Sequence, residues 1–173
     1  MIFRNVLVSC CLTVGVLFVT GRPPSAQITS PSDLRATHRV ALDPWLKSKP
    51  RLRLATEKDC RNLEGLAASR AEYGRDYHPY YAVGDFNRDG QQDFAVTLIN
   101  DQKRSRKFAI AVFNGAHNQR RPWLPAFFAE GMDLSEGGLV VLSGARLIAG
   151  VFQSDDCVVL QPRGRTYALK SCM

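Results

Sequence analysis

From residue 80 onward, apolar side chains come in short runs broken by turn formers. Tyr80-Tyr81-Ala82-Val83 and Phe94-Ala95-Val96-Thr97-Leu98-Ile99 flank a polar loop, and Phe108-Ala109-Ile110-Ala111-Val112-Phe113 stops at Asn114-Gly115. Pro125-Ala126-Phe127-Phe128-Ala129 is a shorter run. Ser143-Gly144-Ala145-Arg146 separates Leu139-Val140-Val141-Leu142 from Leu147-Ile148-Ala149-Gly150-Val151-Phe152, and Gly164-Arg165 divides the last two runs. Segments this short, rich in β-branched and aromatic residues and punctuated by Gly and Asn, predict strands joined as hairpins. Before them, one segment has helical spacing. Thr56 with Asp59 is a capping-box pattern, Cys60, Leu63, Ala67 and Ala71 recur at helical intervals, and Tyr73-Gly74 ends the run. Residues 27–54 contain Pro31, Pro44 and Pro50 and little periodicity, which predicts an N-terminal arm with room for a short helix after Ser30-Pro31-Ser32-Asp33. The predicted fold is α+β: a mainly antiparallel sheet of hairpins with one N-terminal helix packed on it, in a single domain over 55–173.

The first residues follow another pattern. Arg4 precedes the apolar stretch Val6-Leu7-Val8-Ser9-Cys10-Cys11-Leu12-Thr13-Val14-Gly15-Val16-Leu17-Phe18-Val19. A basic start and a short apolar run predict a secretory signal peptide over 1–26 and an exported protein, periplasmic or extracellular. The run is short of the roughly 20 apolar residues of a membrane span, so no transmembrane segment is expected once the leader is cleaved; a retained leader is the other reading.

The polar loop between the first two strands carries most of the chemistry. In Asp85-Phe86-Asn87-Arg88-Asp89-Gly90-Gln91-Gln92-Asp93, oxygen-bearing side chains fall at positions 1, 3, 5 and 9, with glycine at position 6. That is the ligand order of a calcium loop. Asp85, Asn87, Asp89 and Asp93 offer side-chain oxygens and Gln91 its backbone carbonyl, the hard donors calcium prefers. The competing reading is a polar turn that binds nothing, since Asn, Asp and Gly are ordinary turn formers. An EF-hand is excluded: position 12 is Val96, not Glu, and the chain leaves the loop as a strand.

The stretch Ala82-Val83-Gly84-Asp85-Phe86-Asn87-Arg88-Asp89-Gly90-Gln91-Gln92-Asp93-Phe94-Ala95-Val96 resembles the FG-GAP/VCBS-repeat family. The resemblance implies calcium held by Asp85, Asn87, Asp89, Asp93 and the carbonyl of Gln91. Family members commonly repeat the motif around a β-propeller, which needs about four to eight blades. One clear copy occurs here, so a complete propeller is not expected. Residues 149–156 echo the motif faintly, but Val151 replaces the first ligand and the glycine is lost.

Of the five cysteines, Cys10 and Cys11 lie in the leader, leaving Cys60, Cys157 and Cys172. A two-residue Gly164-Arg165 turn of the II′ kind puts Cys157 opposite Cys172, within disulfide reach; a pairing through Cys60 is the rival. The formal charge of the 173 residues is +7. Cleavage of the leader removes Arg4 and Arg22 and no acid. Lys103-Arg104-Ser105-Arg106-Lys107 is the densest basic run. It offers either an anion-binding patch or a solvated loop guarding strand edges. No aromatic stacking pattern accompanies it, so nucleic acid is not the expected partner.

The sequence carries no recognisable catalytic pattern. His38, His78 and His117 are not spaced as a zinc motif, and no nucleophile elbow occurs. Glu130, Asp133, Glu136, Asp155 and Asp156 are carboxylates without an assigned pairing. Two functions stay open: a non-catalytic exported module that binds a protein or anionic glycan with calcium stiffening its hairpin, and a small exported hydrolase using those carboxylates. The first is the expectation, because a calcium loop supplies rigidity and no acid, base or nucleophile.

Overall fold

The computed structural model describes residues 34–115, 124–143 and 145–172. Helix α1 spans Ala36–Lys47, α2 spans Leu63–Tyr73, and the strands are β1 (Leu52–Leu54), β2 (Tyr81–Gly84), β3 (Asp93–Asn100), β4 (Phe108–Phe113), β5 (Phe127–Met132), β6 (Gly137–Leu142), β7 (Arg146–Val151), β8 (Cys157–Arg163) and β9 (Thr166–Ser171). They form two open antiparallel sheets, one holding β1 to β5 and the other β6 to β9 in meander order. The fold is α+β and mainly sheet, with no closed barrel or propeller among the described residues. The predicted leader and the Ser30-Pro31-Ser32-Asp33 cap lie outside them.

β3 organises the first sheet. One edge pairs with β4 along most of its length, while the other is shared by β2 near its start and β1 near its end. Every residue of β3 and β4 is buried, because both faces are covered. On one face, Ala95, Ile99, Ile110 and Val112 pack with Leu139, Leu147, Ala149 and Leu160 of the second sheet. On the other, Phe94, Val96, Leu98, Ala109, Ala111 and Phe113 pack with Ala41, Leu42 and Trp45 of α1. The layers run helix, sheet, sheet. Burying side chains the size of Leu42 and Trp45 contributes about 1.5–3 kcal/mol each, which anchors α1 on the sheet.

Two features differ from the sequence expectation. The stretch read as an arm contains α1 and β1, both built into the domain, so two helices flank the sheets. Pro44 sits inside α1, and no side chain caps its start at Arg35, which hides the helix from cap and periodicity signals. The second difference is the face of α2. The Thr56–Asp59 pattern closes one turn of 3-10 helix over Glu57–Asp59, with Asp59 Oδ2 accepting from Thr56 N at 2.8 Å. Cys60 then turns extended, and the α-helix begins anew at Leu63, capped by Asn62 Oδ1 accepting from Gly65 N at 2.8 Å. The break shifts the helical phase. Gly65, Leu66 and Ser69 face inward, while Leu63, Ala67 and Ala71 lie in solvent.

The C-terminal hairpin has the register read from Gly164-Arg165. Arg163 faces Thr166 and Val158 faces Ser171, and Cys157 and Cys172 are joined as a disulfide with Cα atoms 5.4 Å apart. Gly164 has φ +62, as the turn requires. Cys60 is a buried free thiol.

Candidate metal-binding loop

Residues 85–92 join β2 to β3, whose ladder closes with Gly84 opposite Asp93. The loop is organised by its own oxygens. Asp85 accepts from Asp89 N through Oδ1 at 3.0 Å and from Gly90 N through Oδ2 at 2.9 Å. Asn87 Oδ1 also accepts from Asp89 N at 3.0 Å, its Nδ2 donates to Asp89 Oδ2 at 2.8 Å, and Asp89 Oδ1 accepts from Gln91 N at 2.8 Å. Arg88 and Gly90 have φ of +61 and +80, the left-handed geometry that tightens the turn. Asp85, Asn87 and Asp89 are thereby held on one small loop.

Asp93 plays a different part. Its carboxylate is fully buried. Oδ2 accepts from Phe86 N at 2.8 Å and Asn87 N at 3.2 Å, and Oδ1 accepts from Gly115 N at 2.6 Å. The Tyr167 hydroxyl lies 3.3 Å from Oδ2 and 2.8 Å from Asn114 Oδ1. Burial pushes the Asp93 carboxyl above the ordinary carboxylate range, with the Asp89 charge adding to the rise, against the pull of the three N–H donors. Burial also raises Tyr167, and the charges of Asp93, Asp89 and Asp85 raise it further. Three carboxylates therefore act on one phenol.

The donor chemistry fits a hard cation: three carboxylates, one amide oxygen and one carbonyl, with no sulfur or imidazole. The geometry fits in part. A carboxylate has about four acceptor positions; with Tyr167 donating to Asn114, Asp93 keeps one on Oδ1. No group of three His, Cys, Asp or Glu side chains that could hold a metal is formed among the described residues, and the Gln91 carbonyl and Asn87 amide would have to complete any shell.

Several neighbours of the loop carry no motif. Gly115 supplies the N–H to Asp93, and a Cβ there would stand 2.4 Å from Gln91 Cβ. Asn114-Gly115 reads as a turn in the sequence; only the pairing of β3 with β4 brings it to the loop. Arg35 donates to the Gln92 side chain, tying the start of α1 to the same loop. Tyr167 arrives from β9, 74 residues away in sequence, and no local pattern announces it.

No family model, characterised protein or solved structure matches the chain.

The remaining sequence candidates are spread apart. Glu130, Asp133, Glu136, Asp155 and Asp156 are all exposed. Glu130 lies 3.9 Å from Lys103, and Asp133 accepts from Ser135 N and Oγ. None of the five lines the clefts found among the described residues. Tyr80 donates to Leu134 O at 3.0 Å in the core, and Tyr81 meets His38 Nδ1 at 2.7 Å. Tyr73 and Tyr77 border a cleft of about 410 Å³ with Arg35, Asp76 and His78. The basic run 103–107 is largely exposed and lies beyond the end of β3, opposite the 85–93 loop. No helix among the described residues is long and apolar enough to cross a membrane.

Proposed function

We propose that this chain is an exported, non-catalytic binding module whose 85–93 loop takes calcium in the manner of the FG-GAP/VCBS motif it resembles. The observation that carries the reading is the loop's own order: Asp85, Asn87 and Asp89 are bonded to one another and to the backbone around the Gly90 turn, with the buried Asp93 at its end. Calcium would be held by Asp85, Asn87 and Asp89, the carbonyl of Gln91 and the open position of Asp93. It supplies charge neutralisation there, and no reaction. The side chains fix the consequence: Asp93 begins β3 and is bonded to β4 through Gly115, so order in the loop is order at the end of the first sheet. The partner on this reading is a protein or an anionic glycan met outside the cytoplasm. The Cys157–Cys172 disulfide agrees with an oxidising compartment.

Thermal melting tests the loop. Extracellular calcium modules bind at about 10⁻⁴–10⁻³ M, and calcium a hundredfold above its Kd stabilises by about 2.7 kcal/mol. Tm should rise with calcium and stay put in sodium of equal ionic strength, and Asp89→Ala should remove the rise. An unchanged Tm in saturating calcium overturns the reading.

A further inference from the structure

The 85–93 loop forms one side of a cleft of about 510 Å³ whose other side is the second sheet. Three cationic residues border it from three separate segments: Arg88 from the loop, Arg146 from the first position of β7 and Lys170 from β9. Gln161 of β8 adds an amide. Among the described residues no Asp or Glu lines the cleft, and neither Arg146 nor Lys170 has an ion-pair partner. Like charges brought to one concavity repel, and the field they focus there draws anions. Arginine adds a planar donor fork that matches a carboxylate or sulfate.

The walls are held. Cys172, on one wall, is bonded to Cys157, and Arg88 on the other belongs to the loop organised by Asp85 and Asp89. A cleft whose walls are set before binding loses less freedom when its ligand arrives. Its size lies within the ~300–1,000 Å³ of sites for organic ligands. The lining narrows the class further. Among the described residues that line it, Phe86 is the only aromatic side chain and is 2% exposed, so they offer a nucleobase no ring to stack on. A ligand that fills the cleft must be recognised by charge and amide hydrogen bonds.

We infer that this cleft binds an acidic oligosaccharide, with Arg146 and Lys170 meeting its carboxylate or sulfate groups and Gln161 a hydroxyl. The inference rests on the binding-module reading and names the ligand class for it. It differs from the basic run 103–107, which lies at the other end of β3.

Titration calorimetry on the full chain, with a short galacturonate oligomer as probe, tests it. Binding should be saturable and weaken as salt rises, since exposed charges are screened over about 8–10 Å at physiological ionic strength. Maltotetraose, neutral, should not bind. Arg146→Gln with Lys170→Gln should weaken galacturonate binding about tenfold or more, the loss of two charge-assisted contacts. Lys103→Gln with Arg104→Gln removes equal charge elsewhere and should leave affinity unchanged. If the cleft double variant melts early, Arg146→Gln alone and chemical-shift mapping on the unaltered protein provide the same readout at the cleft. No binding, equal loss in the 103/104 control, or equally tight binding of inorganic sulfate or an oligoglutamate peptide overturns the inference. The titration is repeated with a chelator beside the calcium melting curve. Galacturonate binding without a calcium-dependent rise in Tm supports the cleft and overturns the calcium loop; the rise without binding overturns the cleft.

Discussion

The hydroxyl of Tyr167 stands 2.8 Å from Asn114 Oδ1 and 3.3 Å from Asp93 Oδ2, which joins the last strand of the second sheet to both central strands of the first. Asp93 opens β3 and Asn114 directly follows β4. A phenol has one proton, and the shorter bond takes it. All three groups are buried, so water cannot replace a missing partner. Tyr167→Phe should therefore cost about 1–3 kcal/mol, the penalty for leaving a buried acceptor without its donor. Thermal melting reads it, and a Tm within error of the parent would show that Asn114 finds another donor.

Gly115 and Gly90 should respond to alanine for different reasons. At Gly115 the new Cβ would meet Gln91 Cβ at 2.4 Å and Gln92 O at 3.0 Å, so the loop must move away and the bond to Asp93 lengthens. Overpacking of this kind costs about 1–3 kcal/mol. At Gly90 the space is open, but φ is +80, a conformation an L side chain resists at about 1–2 kcal/mol. Amide exchange separates the two: Gly115→Ala should loosen protection at the start of β3 and the end of β4, Gly90→Ala only within the loop. Equal patterns would contradict the distinction.

The hairpins were legible because each strand ends at a turn residue whose backbone preference acts locally. Gly164-Arg165 set the β8–β9 register and with it the Cys157–Cys172 disulfide. Asp85 to Gly90 likewise form their loop through contacts within five residues. What did not read was tertiary. α1 has no side-chain cap and contains Pro44; it is held by burying Leu42 and Trp45 on a sheet the local sequence cannot show. The stripe of Leu63, Ala67 and Ala71 lies on the solvent face of α2: the chain turns extended at Cys60 and the helix starts afresh at Leu63, so the burial of Cys60 does not show which face is buried, and tertiary packing selects Leu66 and Ser69 instead. The environment of Asp93 depends on Gly115 and Tyr167, brought in by strand pairing.

The disulfide should matter through the unfolded chain. Cys157 and Cys172 are 15 residues apart, and closing a loop of that size stabilises by about 3 kcal/mol in the chain-entropy view. Cys157→Ala with Cys172→Ala should lower Tm, and the parent under reducing conditions should follow it. Cys60 is buried and burial raises its thiol pKa, so it should label with a thiol reagent only after unfolding. Rapid labelling of Cys60 in the native protein would overturn this placement.

His38 should make stability fall in mild acid. Its ring is buried, stacked at 4.2 Å on Phe94, with Nδ1 2.7 Å from the Tyr81 hydroxyl. Burial, reinforced by the charge of Arg35, lowers its pKa from 6.5 to about 4. The folded state then binds fewer protons than the unfolded chain between those values, so stability rises with pH across that window. The contribution is fully present above about 6.5, declines as pH drops towards 4, and is gone below it. Two carboxyls lose their contributions lower still. Partial burial works to raise Asp59, but its bonds to Arg53 and Thr56 outweigh that and hold it below its usual 3.8, and Ser135 holds Asp133 below the same value. Their losses therefore begin near the bottom of the histidine window. Unfolding free energies measured from pH 4 to 8 should slope downward on the acid side in the parent, and His38→Gln, which keeps a partner for Tyr81 and cannot take up a proton, should flatten the slope between 4.5 and 6.5. Parallel curves for the two proteins would show that His38 ionises freely in the folded state and that its stacked, buried position does not hold the ring neutral.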